Sequence, residues 1–222
     1  MLDTATFEQI AASLAHEVKN PLALVKANIE LLEISDRGKR HQKNYRIMRQ
    51  EIERINELLL DFIQIADPAN VRIAVFSLNE MLHSLCDSLQ AAFGHKIDFD
   101  VDFGGSIIFL AADEKKLRQV FYNLLKNSIE SIKEKGSAEK GLIKVSAARE
   151  NETAVIRIQD NGIGVSQDEL RKTDEPFYTT KKGGSGLGLY FCKTVVSRHG
   201  GTFKLAKREE GGCEVRITIP IQ

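Results

Sequence analysis

Two apolar seams with heptad spacing occupy the first third of the chain and constrain its fold more than any other feature. In each seam the apolar positions alternate three and four residues apart, which is typical of helices that pack along one face. A polar stretch at residues 35–38 separates the seams, so we predict an antiparallel helical hairpin. The first seam is Ala11, Ala15, Val18, Leu22, Val25, Ile29 and Leu32, and the second is Tyr45, Met48, Ile52, Ile55, Leu59, Phe62 and Ala66.

One hairpin of this length has too small a core to be stable alone. Two hairpins from two chains would form a four-helix bundle, so we expect a homodimer. Proline disfavours helix in the residue before it, so Asp67-Pro68 should end the second helix. We therefore predict an all-α domain at residues 1–67 and a linker at residues 68–75.

The remaining residues, 76–222, mix helical and strand-like patterns and predict an α/β sandwich. A polar stretch at residues 165–185 has little periodicity, and a loop this long inside a compact domain is usually functional, often a lid. Helices are predicted at 78–93, 114–134 and 187–199, and strands at 97–103, 106–110, 142–149, 153–159, 202–206 and 213–220.

Charge and cysteine content exclude several classes of function. The chain has 222 residues, and its 31 basic and 31 acidic side chains balance, so no net basic field would recruit nucleic acid or anionic lipid. Three scattered cysteines fit a reducing cytosol better than a disulfide framework. No apolar run approaches the roughly 20 residues that cross a bilayer, so we expect a cytoplasmic core whose membrane-spanning sensor, if one exists, lies outside this chain.

His16 follows the seam position Ala15 and should face solvent on the first helix. An ordinary surface histidine is the alternative to a functional one. Pro21 should bend the helix one turn further on, which would give a bulky partner access. Glu17 could orient the imidazole ring or take its proton, and Asn20, one turn away on the same face, could position a water.

Two segments of the second domain suggest a nucleotide site. Asn123 and Asn127 share one helix face, and an amide oxygen is a suitable ligand for Mg²⁺, although chance exposure of two asparagines is the simpler reading. Asp160 follows a strand and could accept a hydrogen bond from the amino group of adenine, at a position where guanine presents an acceptor instead. Gly162 and Gly164 would let backbone approach a base closely, although an ordinary turn is the default for a lone GxG.

A third, glycine-rich segment leads into the last predicted helix. Free N–H groups at such a helix start can face phosphates, although a helix-capping loop would look the same. The candidate donors are Thr179, Thr180, Lys181, Gly184, Ser185, Gly186, Leu187 and Gly188.

Taken together, these segments resemble the catalytic core of bacterial two-component sensor histidine kinases over essentially the whole chain. HEVKNPL at 16–22 is similar to the family's H box, NLLKNSIES at 123–131 to its N box, DNGIGV at 160–165 to G1, EPFYTTK at 175–181 to the F box and GSGLGL at 184–189 to G2. The resemblance implies a dimeric phosphotransfer hairpin followed by an ATP-binding domain of the gyrase, Hsp90, histidine kinase and MutL (GHKL) type.

Carried over residue by residue, His16 resembles the phosphoacceptor, Glu17 its assisting acid and Asn20 the residue used to dephosphorylate the regulator. Asn127 resembles the Mg²⁺ ligand, with Asn123 beside it, and Asp160 the adenine reader. Gly162, Gly164, Gly186 and Gly188 resemble the loop glycines, and Phe177 the latch of the lid. The family implies ATP and Mg²⁺, a response regulator as partner and an input domain upstream. Ser128 departs from the alanine common after the N-box asparagine.

Two rival functions share parts of this pattern. An ATPase clamp of the same fold would carry a glutamate one turn before the metal asparagine, but this chain has Asn123 there, a poor general base. A non-enzymatic phosphorelay scaffold would have lost nucleotide residues, but Asn127, Asp160 and the glycines at 186 and 188 are present. We therefore favour a kinase that phosphorylates its own histidine.

Overall fold

The computed structural model describes residues 14, 18–31, 44–52, 55, 58–59, 72–173, 175–176, 178–181 and 186–221. The chain divides into two compact units. The first comprises Met1–Asn70 with Glu175–Gly188, and the second comprises Val71–Asp174 with Leu189–Gln222.

The first unit contains helix α1, described at residues 18–31, and helix α2, described at residues 44–52. The buried positions Leu14, Pro21 and Asn28 are seven residues apart, as expected of one helix face. The Asn28 amide is satisfied locally, because Nδ2 donates to the carbonyl oxygen of Leu24 at 2.8 Å. The helix continues through Pro21, which is buried.

Much of the described part of the predicted seams is exposed in this single chain. Leu22 is 52% exposed and Ile52 is 49% exposed, whereas Met48 is 8% exposed. The exposed members recur at heptad spacing on both helices, so they form apolar stripes that one hairpin leaves uncovered. These members are Leu22, Ile29, Tyr45, Ile52 and Leu59. The seam positions Ala11, Ala15, Leu32, Phe62 and Ala66 lie outside the described residues.

The second unit is an α/β domain. Its elements, in chain order, are β1 (Ala74–Ser77), α3 (Leu78–Phe93), β2 (Ile97–Asp102), β3 (Phe109–Ala112), α4 (Glu114–Lys135), β4 (Gly141–Glu150), β5 (Thr153–Asp160), α5 (Gln167–Lys172), α6 (Gly188–Arg198, which begins at the last residue of the first unit), β6 (Thr202–Lys207) and β7 (Cys213–Pro220).

Five strands form the main sheet in the order β2-β4-β5-β7-β6. The β2–β4 pair is parallel and the other pairs are antiparallel, while β1 and β3 form a separate antiparallel pair. Alternate residues of a strand face opposite sides, and one side of this sheet is apolar and buried. Its members include Val145, Ile158 and Val215, which are paired across three neighbouring strands.

Helices α3 and α4 cover this apolar side, and both contact the sheet and each other. Leu78, Leu82, Leu85 and Leu89 of α3 are buried at helical spacing. Helix α6 lies against α4, because the Cys192 thiol contacts the carbonyl oxygen of Val120 at 3.6 Å. The predicted order, a helical hairpin followed by an α/β sandwich, is confirmed.

Asp113 caps α4 and joins three parts of the second unit. Its carboxylate accepts the N–H of Lys116 at 3.0 Å and the N–H of Arg72 at 2.9 Å, while its own N–H donates to Nε2 of His199. Burial by itself would raise the pKa of this carboxyl, but the two backbone hydrogen bonds and the charges of Lys116 and His199 outweigh it and lower the pKa. The segment before β1, the first turn of α4 and the residue after α6 therefore meet at Asp113.

Three sequence predictions differ from the observed elements. Strand β1 begins at Ala74, inside the stretch predicted as linker, and β3 spans Phe109–Ala112 where 106–110 was predicted. The predicted loop at 165–185 contains the helix α5, whose Ser166 and Glu169 form a reciprocal capping box. None of the helices within the described residues is both long and apolar enough to cross a bilayer.

Candidate nucleotide site

The predicted metal asparagines lie on α4, at the border between its buried and exposed faces. Leu124 and Leu125 are buried, and Asn123 and Asn127 are half-buried one turn apart. Asn123 is already hydrogen-bonded, because its Oδ1 accepts from Nε2 of Gln119 at 2.8 Å. Asn127 offers a partly accessible amide side chain, which fits Mg²⁺ because this ion takes few protein ligands and completes its shell with waters and phosphate oxygens.

The strand period explains why Asp160 is buried. It is the last residue of β5 and shares the apolar side of the sheet with Ile156 and Ile158, and it is 4% exposed. Its Oδ1 accepts the N–H of Gly162 at 2.9 Å and the N–H of Cys213 at 3.4 Å. The Ser128 hydroxyl on α4 also hydrogen-bonds to the carboxylate.

Burial raises the pKa of Asp160, while these hydrogen bonds and the charge of Arg208 act in the opposite direction. A carboxylate has about four acceptor positions, and three donors from the protein occupy them only in part. Asp160 therefore keeps capacity to accept a further N–H, as recognition of an adenine amino group requires.

The two glycines after Asp160 have close protein neighbours. A Cβ on Gly162 would lie 2.1 Å from Oγ of Ser131, so the turn packs directly on α4. Gly164 has a φ of +80°, a left-handed conformation that favours glycine, and a Cβ there would lie 3.1 Å from the carbonyl oxygen of Gly212. The observed close approach at both glycines is to protein, whereas the sequence suggested an approach to a base.

Sequence reasoning missed the loop between β6 and β7. Arg208 donates from Nη1 to the main-chain oxygen of Asp160 at 2.9 Å and from Nη2 to Glu210 at 2.9 Å. Gly212 lies so close to Asp160 that a Cβ would meet its main-chain oxygen at 1.9 Å. The Gly211-Gly212 pair before a strand was a visible turn signal, but nothing in the sequence connected it with a residue some fifty positions earlier.

Asn161 is also structural. Its Oδ1 accepts the N–H of Leu142 at 2.8 Å and its Nδ2 donates to the carbonyl oxygen of Lys140 at 3.3 Å. The side chain thus ties the turn after β5 to the start of β4. Asn123 and Asn127 therefore lie on α4, Asp160 ends β5, and Gly162 and Gly164 follow it in a turn that packs on α4 at Ser131.

The other predicted residues are described only in part. Thr179 Oγ1 accepts the N–H of Lys181 at 3.1 Å, Gly186 has a φ of +67°, Leu187 is fully buried and Gly188 begins α6. Asn20 is exposed on α1. The predicted residues His16, Glu17, Phe177, Gly184 and Ser185 lie outside the described residues.

Two family models match the chain. Residues 8–70 match the His Kinase A (phospho-acceptor) domain, and residues 112–222 match the histidine kinase-, DNA gyrase B-, and HSP90-like ATPase. The chain belongs to the two-component sensor histidine kinases, of which it carries the catalytic core.

Named relatives agree with this membership. Sporulation kinase D of Bacillus subtilis (strain 168) is 31% identical over 215 residues, covering 96% of this chain and 41% of the relative. Sensor histidine kinase ZraS of Escherichia coli (strain K12) is 29% identical over 214 residues, covering 96% of this chain and 45% of the relative. The chain therefore spans less than half the length of these two curated relatives.

Solved structures share the fold. The catalytic domain of histidine kinase ThkA is 27% identical, with a TM-score of 0.60 over 67% of this chain and 95% of that domain. ThkA in complex with response regulator protein TrrA covers 98% of this chain and 63% of that chain at a TM-score of 0.81, with 23% identity.

Proposed function

We propose that this chain transfers the γ-phosphoryl group of ATP to its own His16 and then to an aspartate of a response regulator. The observation that carries the proposal is the buried, ionisable Asp160, which retains an acceptor position at the end of β5. Adenine satisfies such an acceptor through its 6-amino group, where guanine presents a carbonyl oxygen. The match of residues 8–70 to a phospho-acceptor domain supports the second requirement of the reaction, a histidine that accepts the phosphoryl group.

The nucleotide site would use each part of the second domain differently. Asp160 accepts the adenine amino group, and Gly162 and Gly164 shape the turn beside it. The phosphates would be held by Thr179, Thr180, Lys181 and the N–H groups of residues 184–188, with Phe177 as the latch of the lid. Asn127 would hold Mg²⁺, with Asn123 beside it, and the ion would neutralise phosphate charge.

The acceptor chemistry belongs to the first domain. A neutral ring nitrogen of His16 attacks the γ-phosphorus, the new N–P bond forms as the bond to the bridging oxygen breaks, and ADP leaves. Glu17 would orient the imidazole ring and receive its proton. Asn20 cannot take a proton, but its exposed amide can hold a water for dephosphorylation of the regulator.

The exposed stripes on α1 and α2 support a homodimer. Apolar side chains at heptad spacing on both helices are what a second hairpin would cover in a four-helix bundle.

We assign residues 1–67 to dimerisation and phosphotransfer, 68–75 to the linker and 76–222 to ATP binding, with β1 extending into that linker. A response regulator would dock on the helix face that carries His16 and Asn20, and an upstream input region and a cytosolic location remain predictions.

The decisive experiment compares two histidine variants of the whole chain incubated with labelled ATP. His16→Gln should carry no acid-labile, base-stable label and should still bind ATP, because nucleophile and nucleotide belong to different domains. His95→Gln, which alters an exposed histidine of the second domain, is the control and should be labelled like the wild type. Label retained on His16→Gln would refute the assignment.

A second experiment separates the kinase and phosphatase activities. Glu17→Gln should slow labelling strongly, while Asn20→Ala should mainly slow dephosphorylation of the regulator. Circular dichroism serves to show that both variants keep their helices. Equal loss of both activities in both folded variants would contradict separate roles for Glu17 in autophosphorylation and Asn20 in dephosphorylation.

A further inference from the structure

Asp160 is held from two sides, by a residue of the N-box helix that is not among the expected nucleotide ligands and by a loop that lies outside the five family motifs. Ser128 approaches its carboxylate from α4, and Arg208 approaches its main-chain oxygen from the loop after β6. Ser128 is 6% exposed, so its side chain lies in the protein interior. The arrangement matters because a buried carboxylate that loses a donor becomes easier to protonate.

We propose that Ser128 and Arg208 are positioning residues that hold Asp160 with its carboxylate aimed at the amino group of a 6-aminopurine. This inference rests on the proposed role of Asp160 as the adenine reader. Neither residue needs to touch the nucleotide. Each acts through Asp160, one by hydrogen bond to the carboxylate and the other by holding the backbone that carries it.

The contacts of Arg208 suit a backbone clamp. Its guanidinium bridges the main-chain oxygen of Asp160 and the carboxylate of Glu210, both at 2.9 Å, and its side chain is 20% exposed. Its main-chain N–H also closes the loop by donating to the carbonyl oxygen of Gly212 at 3.1 Å. A lysine ammonium is a compact point charge without the planar fork of a guanidinium, so it cannot reproduce the two fixed hydrogen bonds of Arg208.

The groups acting on Asp160 determine the expected pH dependence. From α4 comes the Ser128 hydroxyl, from the turn the Gly162 N–H, from β7 the Cys213 N–H and from the β6–β7 loop the positive charge of Arg208. A protonated Asp160 presents one acceptor fewer, so ATP affinity should fall as the pH drops through its pKa. Removing Ser128 or the charge of Arg208 raises that pKa further, so the loss of affinity should begin at higher pH.

The test is the dissociation constant of ATP for the whole chain, measured from pH 8 to pH 5.5 in Ser128→Ala and Arg208→Gln. We expect binding weakened by about 2–10-fold at the acid end, the range for loss of one intramolecular hydrogen bond, and a smaller change at pH 8. Arg208→Lys should recover the charge effect but only part of the affinity, because the bridge to Asp160 and Glu210 is lost.

Two matched controls isolate the effect. Tyr122→Phe removes a hydroxyl from the same helix at a position that is 40% exposed. Glu210→Gln removes the exposed charge beside Arg208 without touching Asp160. Both controls should keep the wild-type pH profile.

Asp160→Asn distinguishes failure of the inference from failure of the proposed function. If Asp160→Asn leaves ATP binding unchanged at every pH, the adenine-reading role is wrong and the inference falls with it. If Asp160→Asn weakens binding while Ser128→Ala and the two Arg208 variants keep the wild-type pH profile, only the positioning role is overturned.

Discussion

A Cβ atom on Gly162 would lie 2.1 Å from Oγ of Ser131 and 2.7 Å from the Ser131 main-chain carbon. The N–H of Ile163 donates to the carbonyl oxygen of Ser131 at 3.3 Å, so the turn after β5 rests on the backbone of α4. The close contact includes main-chain atoms, which cannot rotate away as a flexible side chain can. The glycine is therefore required by packing, whatever it does for a nucleotide.

Gly162→Ala should destabilise the nucleotide-free protein. Overpacking a tight contact costs about 1–3 kcal/mol, and we expect a loss of this size in thermal unfolding of the whole chain. Lys115→Ala, an exposed substitution in the same helix, should change stability by less than about 0.5 kcal/mol. A Gly162→Ala variant as stable as the wild type would contradict the tight packing of Gly162 against Ser131.

Asp113→Ala should destabilise the second domain through loss of the α4 cap and of the hydrogen bond to Arg72. Caps of this type are worth about 0.5–2 kcal/mol, measurable by denaturant unfolding. Asp102→Ala is the comparison, because that exposed carboxylate accepts a local N–H from Gly104 at 2.9 Å.

The Asp113 effect should depend on pH with a definite sign. Since the pKa of Asp113 is lowered on folding, its stabilisation is complete above its unfolded value of 3.8 and disappears as the pH falls through the lower folded value. The difference between wild type and Asp113→Ala should be constant near neutral pH and should shrink below pH 3.8. A difference that grows on acidification would contradict the assigned direction.

Only one of the three thiols should react readily with a disulfide reagent in the native protein. Burial, with a contribution from the charge of Asp87, raises the pKa of Cys86 to about 12, and Cys192 is fully buried. Cys213 is partly exposed. At pH 8 we expect one thiol per chain to react rapidly in the native state and three to react in denaturant. Cys213→Ser should abolish the rapid reaction of the native protein. Fast native reaction of two or more thiols would be inconsistent with the observed burial.

Ile52→Asp should dissociate or unfold the helical region, because it puts a charge in the uncovered apolar stripe of α2. Light scattering should give a dimer for the wild type and a smaller mass for the variant. Lys26→Ala, at an exposed polar position of α1, should leave the mass unchanged. A stable wild-type monomer at micromolar concentration would refute the bundle.

Elements with strong local signals were predictable from the sequence. The span of α3 matched its prediction because Ser77 is an effective N-cap and the apolar residues that follow keep a helical period. The short helix α5 had a readable signal as well, the capping box of Ser166 and Glu169, but six residues are too few to show periodicity. Strand β1 was missed because four residues are too few to show a strand period, and the first two were assigned to the linker after Pro68.

The close surroundings of Asp160 were beyond sequence reasoning. The motif located the carboxylate, but Ser128, Arg208 and Gly212 reach it through contacts across 32 to 52 sequence positions, for which local patterns carry no information. Ser128 looked like a minor departure from the family pattern, and the structure gives it a hydrogen bond to the key side chain. Pairwise contacts of this kind depend on the completed fold.

The position of Asp160 at the end of β5 also limits how the gene can change in length. Successive strand residues face opposite sides, so deletion or insertion of one codon between Thr153 and Asp160 would either turn the carboxylate to the solvent side or force the whole strand to slip against β4 and β7. The connection at residues 136–140 is exposed, and a change of one residue there does not alter which side of the sheet a strand residue faces. Length variation among descendants of this sequence should accumulate there and be absent from β5.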